Sequence, residues 1–276
     1  ILRKCNLNSS NGPGTGAILA SLPVALMRFG PSNDELRMFT RVRCDLPLKG
    51  AESLPPVCPH KSCHSVIDAQ GNHPTNCSSG AHQRHYHVIV PLLAIGKNIV
   101  GLSGILEQGG LFEDGKRPDV SFSGFIHKEM RGKTLIIDVT VTKSIVTTKP
   151  DSNAATLKAA ARINRAAANQ PGFFASKAKK KKEKKYCVIM SSSPPGTVFK
   201  AFEMESRGRL GVGALEVLDI MAKEFTTRCK GTHAEFFARI GPLLAMGFWR
   251  GTLAKLARWH LNDHSFSANN RRPVAY

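Results

Sequence analysis

The segment from Leu46 to Cys77 constrains the fold more than any other part of the chain, because it is long and yet carries few apolar residues that could order it. Proline, glycine, asparagine, serine, histidine and cysteine dominate it. Four of its side chains carry the donor atoms that tetrahedral zinc takes, namely Cys58, Cys63, His73 and Cys77. We therefore predict a structural zinc knuckle here, the alternative being a polar loop with unpaired thiols.

The charge of the chain points to an anionic partner. Its 39 lysines and arginines outnumber its 20 aspartates and glutamates, which leaves a net charge of +19. Phosphates bound by such a surface release condensed counterions, so DNA or RNA is the first expected partner; an anionic membrane surface and a ribosome-like assembly are the alternatives.

No apolar run approaches the roughly 18 residues of a spanning helix. Seven cysteines, an odd number, favour reduced thiols or metal ligands, so we expect a soluble intracellular protein.

Hydrophobic periodicity divides the chain into helices, the Cys/His segment, a strand-rich centre and further helices. Strands are predicted at 120–126 and 134–141, and the turn at 129–132 makes them a hairpin. The other predicted elements are a flexible leader at 1–16, helices at 17–29, 85–100 (broken near Pro91), 153–169, 213–225 and 233–260, and a buried strand at 186–190. The predicted domains are 1–45 (leader and basic helices), 46–83 (zinc knuckle), 84–225 (core) and 226–276 (helical extension).

Acidic residues near the two strands are conspicuous in so basic a chain. Asp119 precedes the first strand, and Asp138 lies within the second, on the same face as Thr140 by period-2 alternation. A carboxylate in so apolar a strand costs free energy unless it is paired or binds a cation. Two such aspartates at the mouth of a hairpin can bind magnesium, with Glu107 as a third oxygen ligand. The alternative is that Asp119 caps a turn after Pro118 and that Asp138 pairs with a lysine or arginine.

Six motifs in order resemble one family, the restriction-like endonuclease domain of site-specific non-LTR retrotransposons. They are Cys58, Cys63, His73 and Cys77; Arg84-His85; Glu107; Arg117-Pro118-Asp119; Asp138-Val139-Thr140-Val141; and Lys182-Glu183-Lys184-Lys185-Tyr186, followed by Phe202-Glu203-Met204-Glu205 before Gly208 and Gly211. The resemblance covers roughly residues 40 to 225. That domain has the PD-(D/E)xK nuclease fold and follows a reverse transcriptase.

The resemblance implies an α/β fold, a PD-(D/E)xK restriction-endonuclease-like core in which helices flank a mixed central sheet. It implies a metal-dependent DNA endonuclease that nicks its target, with magnesium or manganese on Asp119 and Asp138. The superfamily has a lysine where this chain has Thr140, so Lys182 or Lys185 would replace it from a neighbouring element. Further implied roles are nucleic-acid contacts by Arg84, His85, Arg117 and Tyr186. The implied setting is the nucleus, or another compartment with nucleic acid such as a mitochondrion, with DNA and element RNA as partners and a reverse transcriptase upstream.

Two other classes of function fit the same residues. Thr140 at the lysine position favours a non-catalytic nucleic-acid-binding module derived from a nuclease fold. A basic structural protein of a ribonucleoprotein particle would explain the charge, but it leaves the two aspartates unexplained. For Arg84 and His85, a helix start with solvated cations is the alternative to a phosphate contact.

Overall fold

A computed structural model describes residues 1–12, 33–48, 54–60, 63–77, 81–112, 115–191, 193–229 and 231–260. The helices are α1 (Leu2–Ser10), α2 (Asn33–Arg43), α3 (Asn72–Asn76), α4 (Ala81–Ala94), α5 (Ala154–Asn169), α6 (Phe173–Met190), α7 (Val212–Cys229) and α8 (His233–His260), and α4 runs into a π-helical segment at Ile95–Val100. The strands are β1 (Ser103–Leu106), β2 (Val120–Ser123), β3 (Thr134–Thr142) and β4 (Thr197–Glu205). The helix predicted at 17–29 lies outside the described residues.

The four strands form one mixed sheet in the order β1-β2-β3-β4. β1 and β2, and β2 and β3, pair antiparallel, which confirms the predicted hairpin, whereas β3 and β4 pair in parallel. The segments that join β3 to β4 include α5 and α6, as a parallel connection requires. The fold is therefore α/β, with helices flanking a mixed sheet as expected.

Both faces of β3 are buried, which explains its nearly continuous run of β-branched and apolar residues. Leu135, Ile137 and Val139 join the main core, to which α4, α7 and α8 contribute. On the other face, Ile136 packs with Tyr186 and Ile189 of α6. The sheet thus separates a large apolar core from a thinner layer under α6, and Asp138 lies on the α6 side.

The prediction of a strand at 186–190 was wrong, because α6 continues through the lysine-rich residues 177–185 to Met190. Tyr186 and Ile189 are three residues apart, so both face the sheet from one side of a helix. A short apolar run contains too few residues for its periodicity to distinguish a strand from the end of a helix. Lysine favours the helical conformation, so the lysines before Tyr186 favour a helix that continues through Tyr186.

Two further predictions at the level of elements were wrong. Part of the flexible leader forms α1, since Cys5 Sγ donates to Asn164 O at 3.0 Å and Asn8 Nδ2 donates to Ala168 O at 3.0 Å, both on α5. Helix α4 does not break at Pro91 but changes pitch after Ala94.

None of the described helices combines the length and apolar composition that a bilayer crossing requires.

Candidate functional site

The register of the hairpin places the two predicted aspartates side by side. Val120 pairs with Ile137, so Asp119, just before β2, comes next to Asp138. Asp119 Oδ2 accepts a hydrogen bond of 2.6 Å from the backbone N of Val139, the residue after Asp138. The Asp119 side chain is 17% exposed and that of Asp138 7%. Two carboxylates therefore meet at one end of β2, within reach of solvent.

His85 of α4 holds Asp119 from the other side. Its Nε2 lies 3.0 Å from Asp119 Oδ2 and 3.0 Å from Val139 O. Burial would lower the pKa of His85, but the hydrogen bond and charge of Asp119 outweigh it and raise that pKa. Burial would likewise raise the pKa of Asp119, whereas His85 and the Val139 amide lower it. The contacts favour an ionised Asp119 beside a cationic His85.

Two lysines of α6 reach Asp138. Lys182 Nζ lies 2.5 Å from Asp138 Oδ1, and Lys185 Nζ lies 3.7 Å from Asp138 Oδ2. They are three residues apart and therefore project from one face of the helix. Helix α6 thus supplies the cations that β3 lacks at Thr140. The same ion pair also satisfies the alternative that Asp138 is simply paired with lysine.

Glu107 and Arg117 lie close to Asp119 in the chain but take no part in these contacts. The backbone N of Glu107 donates to Asp119 O at 3.1 Å, while its side chain is exposed. Glu107 adopts a left-handed backbone, with φ of 43°. Arg117 is exposed two residues before Asp119. Both side chains are accessible to a ligand at the aspartates.

Arg84 and Tyr186 are buried, which does not fit the implied contacts with nucleic acid. Arg84 is 4% exposed, and its Nη2 donates to Cys77 O at 2.8 Å. The Tyr186 ring is 1% exposed and stacks on Phe199, with 4.1 Å between ring centroids. Arg84 therefore ties the Cys/His segment to α4, and Tyr186 belongs to the core under α6.

The four predicted zinc ligands converge. Cys77 Sγ lies 3.8 Å from both Cys58 Sγ and Cys63 Sγ, and Cys63 Sγ lies 3.4 Å from His73 Nε2; all four donor atoms are within 4.8 Å of one another. Zinc–sulfur bonds of about 2.3 Å give a tetrahedron with edges of about 3.8 Å. The cluster could therefore hold a zinc ion with its coordination completed by protein.

Contacts around the cluster fix its ligands. Asp68 accepts hydrogen bonds from the backbone N of Asn72 at 2.9 Å and of His73 at 3.0 Å, which holds the start of α3. Burial raises the pKa of the Cys58 thiol to about 11, so a bound cation is what would favour its thiolate. Cys77 O, bonded to Arg84, links the cluster to the helix that carries His85.

One ion-pair network near the aspartates was not predicted from the sequence. Glu216 of α7 lies between two cations, 2.6 Å from Lys179 Nζ of α6 and 2.5 Å from Lys200 Nζ of β4. Lys179 belongs to the same lysine-rich part of α6 as Lys182. Glu216 is 37 residues from it, and no sequence signal marks the pair.

No protein-family model matches the chain, and no curated protein is similar to it in sequence. The functional argument therefore rests on the geometry. Two adjacent carboxylates with a histidine and two lysines around them provide oxygen ligands for a hard divalent cation and positive charge for a phosphate.

Proposed function

We propose that the protein is a metal-dependent DNA endonuclease that nicks a phosphodiester, with a core of the PD-(D/E)xK type. One observation carries the proposal: Asp119 lies next to Asp138 across the hairpin, and Lys182 of α6 lies 2.5 Å from Asp138 Oδ1. Ion pairing with Lys182 and Lys185 accounts for Asp138 but not for Asp119. This second carboxylate lies next to Asp138 across the hairpin, and His85 favours its ionised form.

Each residue has a role in this proposal. Asp119 and Asp138 would hold magnesium or manganese, with Glu107 as a third oxygen ligand, and the ion would supply Lewis acidity to the scissile phosphate and to the attacking water. Lys182 turns from Asp138 toward the phosphate, where it stabilises negative charge that develops in the transition state. Lys185 and Arg117 bind flanking phosphates, and His85 orients Asp119.

The Cys58, Cys63, His73 and Cys77 cluster binds structural zinc in this proposal, because all four positions are filled by protein. DNA is the substrate, and the net charge of +19 gives the affinity for it. By resemblance to the retrotransposon domain, the nick would prime reverse transcription in the nucleus, with element RNA bound and a polymerase upstream.

Plasmid nicking tests the proposal. We expect the protein to convert supercoiled plasmid to the nicked form in magnesium or manganese at low salt. Asp119→Asn, Asp138→Asn and Lys182→Met should each lower the rate about 100-fold or more. Lys128→Met is the control, because Lys128 is exposed in the turn before β3 and takes no part in the candidate site. Plasmid binding without nicking in either metal would contradict the proposal.

A non-catalytic DNA-binding module is the second candidate. Thr140 favours it, since the strand itself carries no lysine on the face of Asp138. In that case Lys182 only neutralises a buried aspartate. Nicking by the intact chain that is lost in Lys182→Met but kept in Lys128→Met would exclude this candidate.

A further inference from the structure

The exposed surface of α5 and α6 carries charge of almost one sign. The two helices contain ten lysines and arginines and a single carboxylate, Glu183. Helix α5 holds three of these cations, Lys158, Arg162 and Arg165, and no acidic residue. The proposed nicking site uses only Lys182 and Lys185, which leaves the rest of this surface without a function.

The three cations of α5 lie on one face of the helix. They follow at intervals of four and three residues, and all are exposed. The opposite face, with Ala160, Asn164 and Ala167, is buried. Alanines border the cationic face, with Ala155, Ala159 and Ala161 exposed. This is a smooth ridge from which only three long cations protrude.

Such a face is not stabilised by the protein itself. Lys158 and Arg162 are like charges four residues apart, which destabilises an isolated helix. Within the described ranges, no carboxylate forms an ion pair with any of the three cations. The start of the helix is already capped, because Asn153 Oδ1 accepts from Thr156 N at 2.9 Å. An anionic partner along the face would supply the missing charge.

The shape of α5 fits duplex DNA. The 16 residues of the helix span about 24 Å at 1.5 Å each. The major groove of B-form DNA is about 12 Å wide and admits a helix of this diameter, whereas the major groove of an RNA duplex is too narrow for side chains. Exposed alanines allow a close approach, and the cations can reach base edges and the phosphates on both sides.

We infer that the cationic face of α5 lies in the major groove of the duplex beside the nicking site. Helix α6 follows after a short turn, and its exposed lysines Lys177, Lys180, Lys181 and Lys184 extend the surface along the phosphates, while its opposite face presents Lys182 to Asp138. The inference rests on the proposed function, because it assigns the DNA that this site would cut.

Binding without added divalent metal tests the inference separately from nicking. The probe is a fluorescent 30-bp DNA duplex, titrated at several salt concentrations. The α5 variant Lys158→Gln/Arg162→Gln/Arg165→Gln should bind at least tenfold more weakly, with the slope of log K against log salt reduced by about 2 to 3. Arg162→Gln alone should give part of the same loss, which guards against misfolding of the triple variant.

The matched control changes the same number of charges elsewhere. Lys128, Arg131 and Lys133 are exposed in the turn before β3. The nine residues of β3 separate them from the segment leading to α5 by about 26 Å at 3.3 Å per residue. Lys128→Gln/Arg131→Gln/Lys133→Gln should bind within about threefold of the intact chain. Equal losses for the two triple variants would overturn the inference.

Blocking one groove at a time identifies the contact. DNA with glucosylated hydroxymethylcytosine fills the major groove, and it should weaken the intact chain to about the level of the α5 variant. Netropsin fills the minor groove of A·T-rich DNA and should change binding little. The opposite result, or a larger loss on an RNA hairpin than on the DNA duplex for the α5 variant, would overturn the inference.

Failure of this inference is distinct from failure of the proposed function. Asp138→Asn should abolish nicking but keep duplex binding, whereas the α5 variant should lose duplex binding even without divalent metal, when no nicking occurs. Absent nicking with normal dependence of binding on α5 would overturn only the endonuclease. Normal nicking with no dependence of binding on α5 would overturn only the groove contact.

Discussion

Glu203 is the most unusual buried carboxylate in the described part of the chain. It lies on β4 opposite Thr140, is 1% exposed, and its Oε1 accepts from Gly213 N at 2.7 Å at the start of α7. Its Oε2 is buried with no hydrogen-bond partner among the described residues. A Cβ at Gly211 would lie 2.4 Å from Glu203 Cγ, so glycine is required there for the carboxylate to reach α7.

Burial raises the pKa of Glu203 to about 7. Folded protein therefore keeps a proton that the unfolded chain releases above about pH 4.5, so the free energy of unfolding falls between pH 4.5 and 7 and this contribution is constant above. Glu203→Gln keeps the acceptor for Gly213 N and cannot ionise. We expect the variant to gain roughly 3 kcal/mol relative to the intact chain between pH 4.5 and 8. Urea unfolding at both pH values checks this, and parallel behaviour of the two proteins would contradict it.

Sequence reasoning found the residues whose chemistry is visible in the chain. Asp119 and Asp138 were selected as carboxylates near the strands of a basic chain, and they meet because alternation fixes the hairpin register. Lys182 was selected through the family resemblance, and α6 brings it to Asp138. Tyr186 was assigned to nucleic acid, but its ring lies against Phe199. Whether an aromatic ring faces the core depends on contacts between elements far apart in sequence, which a local pattern does not contain.

At the scale of elements, the position of α6 decides where Lys182 lies. Glu216 holds the preceding turn of α6 through Lys179 and holds β4 through Lys200. Lys179 and Lys182 are three residues apart on the same side of the helix. The two ion pairs of Glu216 therefore fix α6 over the sheet one turn before Lys182, the lysine that contacts Asp138.

Glu216→Gln should lower the rate of plasmid nicking about tenfold while leaving DNA binding close to normal, because a small displacement of Lys182 matters for the reaction more than for affinity. Asp219→Asn is the matched control on α7, since Asp219 is 49% exposed and pairs with Lys223. Equal nicking by the two variants would show that the Glu216 contacts do not position α6.

Zinc removal should loosen the Cys/His segment and leave the central sheet folded. With a chelator, or in Cys63→Ser, we expect residues 54–60 and 63–77 to lose protection from hydrogen exchange, because a bound zinc ion would join Cys58, Cys63, His73 and Cys77 across the segment. β3 should stay protected. Cys187→Ser is the control, since Cys187 is exposed on α6. Unchanged protection, with no zinc found by metal analysis, would contradict a zinc site.

Elements that contain several repeats of their hydrophobic period were predicted well. Elements with few repeats, or with a mostly polar sequence, were not. The helices at 153–169 and 233–260 and the hairpin each have enough repeats to define a period. Helix α1 does not, because its polar sequence becomes helical through contacts with α5, such as the bond from Cys5 to Asn164 O. Tertiary contacts of this kind override local propensity.

At the scale of the whole molecule, α8 shares a core with the sheet. Phe236, Phe248 and Trp249 of α8 belong to the same buried cluster as Val139 and Phe202. Gly247 allows α8 to pack closely on α4, because a Cβ there would lie 2.4 Å from Pro91 Cγ. The predicted extension at 226–276 therefore has no apolar core separate from that of the sheet within the described residues.

A shared core predicts one unfolding transition for the sheet and α8. Phe236 is fully buried, so Phe236→Ala should lower the free energy of unfolding by about 3–5 kcal/mol. Phe237→Ala is the control, because Phe237 is 40% exposed, and it should cost much less.

The measurement is urea unfolding followed by two probes. Both tryptophans, Trp249 and Trp259, are in α8, so fluorescence reports that helix, whereas far-ultraviolet circular dichroism reports the whole fold. The two probes should give coincident curves, and Phe236→Ala should shift both equally. If the variant moved only the fluorescence curve, α8 would be a unit that unfolds on its own, and the sheet would need no support from it. If both move together, the candidate nicking site depends on a helix more than ninety residues from Asp138 in sequence, because α8 packs on α4, and α4 packs on β3.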